Sequence, residues 1–386
     1  MAPVNGEGER SDMWVARRSP AARQPKARTF AAARLFRAAM VATTLLAAGA
    51  SPARSQPLRS DEVSVGTGTA GALTVLSSID PVEMGELLEH WRARYPDIKL
   101  TYRHKNSLDI YSDVVECNEA RPCPDLAWSS AMDLQIKLVN DGYAARHEPA
   151  AAAVLPPWAV WRNEAFGVTA EPIVLVYNKM RVPPEDVPRT HADFIRLLRE
   201  KGAAYRGKIA AYDPERSGTG YLFWNSDVRI TADTWQLVRA LGRTAPKLYS
   251  FAHTMLDRVS DGDQLFAYNT ISSYARARAR EEPAIGVVAF EDYTLVMTRI
   301  ALVPKQAPHP EQAHLFLDFL LSREGQEDLA RRAFGTVRLD MPPPAEGGAD
   351  PARLRPIHVG PELLAYQDQS RRRIFFREWR KALEGQ

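Results

Sequence analysis

ALTVLSSIDPVEMGELLEHWRARYPDIKLTYRH, residues 72–104, is the stretch on which the fold assignment turns. ALTVLSS at 72–78 is a short, largely apolar run with the length and composition of a buried strand. Pro81 then stands where the first turn of a helix tolerates it, since its missing N–H would have no partner there. Met84, Leu87, Leu88 and Trp91 follow three to four apart and line one helix face. IKLTYRH at 98–104 alternates as a second strand. Strand, helix, strand over so short a span predicts parallel pairing across a covered sheet.

The same alternation continues outward. SLDIYSDVVE reads as a helix, PDLAWSS as a third strand and AMDLQIKLVNDG as the next helix. FGVTAEPIVLVYNKM, 166–180, is a long β-rich run with no helical period. A second α/β set follows: helix THADFIRLLRE, strand GKIAAYD, the loop RSGTGY, a helix from about Tyr221, then helices TADTWQLVRALGRT and MLDRVSDGD. LFAYNTISSYARARARE passes from strand to helix, AIGVVAF and TLVMTRIALVP are strands, and HPEQAHLFLDFLLSREGQEDLARR is helical. A Pro/Gly-rich stretch at 342–356 precedes a last helical segment, PELLAYQDQSRRRIFFREWRKAL.

Composition bounds the class. At 386 residues, 45% hydrophobic and 25% charged, the chain is ordinary globular protein with room for two domains. A net charge of +3 from scattered arginines leaves no nucleic-acid footprint. Residues 9–37 are arginine-rich and nearly free of acids, and the apolar run AAMVATTLLAAGA fills 38–50. Its 13 residues are too few to span a bilayer, which needs ~20. Basic region, short apolar region and small residues at Ala48 and Ala50 describe a signal peptide over 1–50, hence export to the periplasm. Residues 51–72, rich in Ser, Gly, Pro and Thr, read as a flexible linker. In that oxidising compartment Cys117 and Cys123, the only cysteines, are expected to close a small structural disulfide loop.

Four loops that end strands and open helices carry hydroxyls and small residues: SSID (77–80), WSSAMD (128–133), RSGTGY (216–221) and NTISSY (269–274). Free N–H groups at a helix start favour an anion, and Ser and Thr add neutral donors. Each loop taken alone is better explained by helix capping. RSGTGY is not a P-loop, because no Lys-Ser/Thr follows its glycines. Nor is it a nucleophile elbow, because no Gly stands two residues before Ser217. The chain therefore reads as one that holds a solute without transforming it, with no cofactor and no catalytic residues.

The order of segments resembles the solute-binding proteins of bacterial ABC transporters. The most specific pieces are VYNK at 176–179 and HPEQAHLFLDFLLSREGQ at 309–326. The resemblance is to the type II group, which includes ferric-iron, phosphonate and phosphoglycerate-linked binding proteins, and it covers roughly residues 73–338. It implies an α/β, two-lobed (Venus-flytrap) periplasmic binding protein with a mixed, mostly parallel sheet in each lobe and a two-segment hinge. The implied organisation is lobe 1 over 73–171, a hinge crossing at 172–179, lobe 2 over 178–285, and a return to lobe 1 over 286–386 with the C-terminal helices. It brings the four loops to one cleft, with Ser77, Ser78, Ser129, Ser130, Arg216, Ser217, Gly218, Thr219, Gly220, Asn269, Ser273 and Tyr274 as the expected ligand contacts. The expected ligand is a small anionic solute: a phosphorylated or carboxylated organic acid, or a phosphonate. The expected partner is a membrane ABC permease or a sensor histidine kinase, with the binding protein itself a monomer. Ferric members of the group use adjacent tyrosines; Ser273-Tyr274 supplies one, so iron, held through Tyr274, is the alternative.

Overall fold

The computed structural model describes residues 61–342 and 350–385. The expected signal peptide lies outside the described residues, as does the first part of the expected linker.

The chain builds its first sheet from β1 (Glu62–Val65), β2 (Ala72–Ser77), β3 (Lys99–His104) and β4 (Leu126–Ser129), joined by α1 (Pro81–Arg94) and α2 (Ser107–Val115). α3 (Met132–Asn140) and the short strands β5 (Val160–Trp161) and β6 (Ala165–Gly167) follow. It then enters a second sheet through β7 (Glu171–Asn178), α4 (His191–Lys201), β8 (Ile209–Tyr212), α5 (Gly218–Ile230), α6 (Asp233–Arg243), β9 (Lys247–Tyr249), α7 (Ala252–Ser260) and β10 (Phe266–Ile271). α8 (Ser272–Glu281), β11 (Ile285–Val288) and β12 (Thr294–Met297) complete that passage. β13 (Ile300–Leu302), α9 (Pro310–Leu321) and α10 (Arg323–Arg331) return to the first sheet, and β14 (Leu354–Pro356) and α11 (Gln369–Leu383) end the chain.

The first sheet has the order β1-β3-β2-β4-β13-β6-β5, the second β14-β12-β7-β10-β8-β9, with β11 paired to β7. Parallel pairing is confined to β2 with β3 and β4, to β8 with β9 and β10, and to β12 with β14. The strands on either side of the sheet changes run against their neighbours, so both sheets are mixed. One apolar cluster packs α1, α9 and α10 on the first sheet, where Trp91 meets Phe316 edge-on at 5.0 Å. The other runs from α2 and α3 through the second sheet to α11. Cys117 and Cys123 are joined as a disulfide.

Three expected boundaries move. Residues 62–65 leave the linker and pair antiparallel with β3 at the sheet edge, because the alternation in EVSV is enough for an edge strand. The crossing lies at 168–170, before β7, so 172–178 is strand within the second sheet rather than hinge. And 286–297 stays in the second sheet, to which β14 returns while α11 packs on α6; β13, α9, α10 and the turn with Phe334 and Val337 belong with the first.

Candidate functional site

Six strand ends run into six helix starts that face one cleft. From the first sheet β2, β3 and β4 lead to α1, α2 and α3; from the second β8, β9 and β10 lead to α5, α7 and α8. Asp80, Asn106, Ser107 and Ser130 line one side of the cleft, and Gly218, Thr219, Ala252, Ile271 and Tyr274 the other. The cleft encloses about 510 Å³ of empty space, part of it open to solvent. It sits at the carboxyl ends of the strands, where sheets of this class bind ligands.

The two sides already touch. Within the first side Ser130 N–H donates to Ser78 Oγ (3.0 Å), and across the cleft Ser130 Oγ lies 2.8 Å from Thr219 Oγ1. Tyr274 Oη donates to the Ser78 carbonyl at 3.2 Å. A Cβ on Gly218 would come within 3.3 Å of Ala131 Cβ, so a glycine there lets the start of α5 lie against that of α3. Gly220 has a different cause: its Cβ would meet Tyr212 Cβ at 2.6 Å, so glycine lets the helix begin tight on β8.

The floor is an ion pair. Arg299 and Glu171 are wholly buried, with Arg299 Nε donating to Glu171 Oε1 at 2.8 Å. Thr169 Oγ1 and Ser273 Oγ also donate to Glu171. Burial works against the charge on Arg299, but the charge of Glu171, the nearby Tyr274 and the hydrogen bond to Glu171 outweigh it and its pKa is raised. The guanidinium lies 5.2 Å from the Tyr274 ring centroid and turns Nη1 toward Ser78. Burial lifts the Tyr274 phenol to about 12 despite Arg299, so at neutral pH it is a hydroxyl and not a phenolate. Lys105, held by Asp113, and His104, 3.7 Å from Asp80, stand on the first-sheet side.

A family model described as bacterial extracellular solute-binding protein matches residues 95–355. The chain belongs to that family. The crystallised substrate-binding protein of an ABC transporter from Agrobacterium tumefaciens is 37% identical, with a TM-score of 0.78, covering 83% of this chain and 98% of its own. Iron-bound HitA from Pseudomonas aeruginosa (22% identity, TM-score 0.60, 81% and 99% covered) shares the fold. So does AfuA from Actinobacillus pleuropneumoniae, crystallised with exogenous fructose-6-phosphate (18%, 0.63, 82% and 99%). No curated protein matches the sequence.

Of the residues the sequence suggested for this solute-binding protein, Ser78, Ser130, Ser217, Gly218, Thr219 and Tyr274 come together in the cleft. The others do not line it. Ser77 and Ser129 end their strands buried, each accepting from the N–H two residues on. Asn269 holds a left-handed bulge in β10 and donates to buried Asp227. Ser273 serves Glu171, Gly220 packs on β8, and Arg216 is exposed on the outer surface. Ser217 itself caps α5, accepting from Gly220 N–H at 3.1 Å. Sequence reasoning missed Lys105–Ser107 and Ser250–His253, which follow strand ends as the other four loops do. It also missed Arg299, a lone arginine in the apolar run TLVMTRIALVP.

Asp133 points away from the cleft. It is buried at the start of α3, accepts from Gln367, and burial raises its pKa to about 6 against the pull of Arg372 and Gln367. In the unfolded chain the group titrates near 3.9, so the folded state binds the proton more tightly. That contribution to stability is full below about pH 4 and declines as the pH rises to about 6, by roughly 2–3 kcal/mol in all. Asp133→Asn is expected to flatten this part of the curve. Urea unfolding of parent and variant across that range checks it; parallel pH profiles would refute it.

Proposed function

We propose that this protein is the periplasmic substrate-binding component of an ABC transporter, capturing a small anionic solute by closure of its two lobes. Periplasmic placement rests on the exported-leader reading of residues 1–50. The observation that carries the ligand class is the convergence of six helix starts, three from each side, on one hydroxyl-lined cleft. Their N–H groups and dipoles favour negative charge, and contacts from both sides make the ligand stabilise the closed arrangement. Because Glu171 neutralises Arg299, most of the donors offered are neutral. Asp80 adds an acceptor suited to a ligand hydroxyl. That combination fits a phosphorylated or carboxylated organic acid better than a bare inorganic ion.

Ferric iron fits the cleft less well. Tyr274 has beside it a serine, not a second tyrosine, and that serine is committed to Glu171. Among the described residues no three His, Cys, Asp or Glu side chains gather to hold a metal.

The test is a thermal-shift screen over sugar phosphates, phosphonates, di- and tricarboxylates, amines and Fe³⁺, since a ligand that binds only the native state raises the melting point. Stabilisation by one class of organic anion is expected. Stabilisation by Fe³⁺ or an amine alone would overturn the reading.

A further inference from the structure

Crossings at 168–170 and 298–299 carry the chain between the sheets, and the passage from α10 to β14 returns it to the second. A further connection is formed by the segment after Pro356, beyond the stretch that the family model matches. The segment leaves β14, whose partner β12 is in the second sheet. Val359 N–H then donates to the Trp158 carbonyl, in the first half of the molecule, at 2.7 Å. The 3-10 turn Pro361–Tyr366 packs against α3. Next, the Tyr366 carbonyl accepts from Tyr221 Oη of α5 at 2.7 Å, while Gln367 Nε2 donates to Asp133 of α3. Arg372 lies 4.4 Å from the Tyr221 ring centroid, and α11 continues onto α6 of the second half.

The helices joined in this way are the two whose first residues meet across the cleft. Ser130, just before α3, and Thr219 touch in the cleft; Asp133 and Tyr221, further along the two helices, are tied through Tyr366 and Gln367. Leu363 and Tyr366 are buried in the same apolar cluster as Met132 and Ile136 of α3 and Phe375 and Trp379 of α11. Opening the cleft by swinging α3 away from α5 must break the Gln367 bond, the Tyr366 bond or the packing of this turn.

We propose that this C-terminal segment is a strap between the lobes that limits opening, with Gln367 and Tyr221 as positioning residues for closure. The proposal does not depend on what the cleft binds, and its test uses the protein without ligand, so an unresponsive ligand screen leaves it untouched.

Spin labels at two exposed sites, Glu89 on α1 and Arg199 on α4, report the separation of the lobes by pulsed electron resonance. In the double variant Tyr221→Phe/Gln367→Ala the distance distribution is expected to broaden toward longer separations. Asp133→Asn, which keeps an acceptor for Gln367, is expected to retain the parent distribution. Tyr205→Phe removes an equally buried hydroxyl bond, to Asp186, far from the strap and is also expected to leave it unchanged. An unaltered distribution in the double variant would overturn the proposal, as would equal broadening in Tyr205→Phe, which would mark a general softening.

Discussion

Replacing Arg299 with methionine is expected to lower the unfolding free energy by about 3–5 kcal/mol, because it strands one member of a buried ion pair. Arg299 and Glu171 have no exposed surface, and each lies where the chain passes between sheets: Glu171 opens β7, and Arg299 precedes β13. Removing the guanidinium leaves the carboxylate with two hydroxyl donors, Thr169 and Ser273, and no opposite charge within the cluster. Arg299→Met/Glu171→Gln should recover part of the loss, since the remaining amide can use the same hydroxyls. The four proteins form a double-mutant cycle read by urea unfolding. A loss under about 1 kcal/mol in Arg299→Met, the range of exposed pairs, would show that the pair does not pin the crossings.

That pair also marks where the sequence stops being readable. An arginine between Met297 and Ile300 announces a buried charge that needs a partner, but Glu171 is 128 residues away and no local pattern names it. The strand–helix alternation was legible because it depends on local period and helix-start chemistry alone. Ser78, Ser130, Thr219 and Tyr274, which line the cleft, stand in loops that the same local pattern marks. Ser77 and Ser129 fall outside the cleft lining by a single residue. Each is the last residue of its strand, where side chains alternate between faces, and each spends its hydroxyl on the turn that follows. Asn269 and Ser273 lie outside the lining because they bond Asp227 and Glu171, which come from distant elements. The helical period of α11 was visible, whereas the sheet it returns to was decided by long-range packing, such as Trp379 against Trp224 at 4.7 Å.

Thr219→Asp should abolish anion binding while leaving the fold intact. Thr219 is the second residue of α5, 7% exposed, with its hydroxyl against Ser130. An acid in a first helical turn suits the dipole, so the helix itself gains rather than loses. The added carboxylate can still accept from Ser130, and the lobes can still meet. What changes is the charge facing the ligand. Two like charges about 4 Å apart at an effective dielectric near 20 repel by about 4 kcal/mol, or roughly a thousandfold in affinity. Thr219→Val, which loses only a neutral hydroxyl, should weaken binding by about 1 kcal/mol. Calorimetric titration with whichever anion stabilises the parent distinguishes the two. Equal affinity in Thr219→Asp and parent would place the ligand elsewhere. Tighter binding of a cation by that variant would mean that the six helix starts serve closure and not charge recognition.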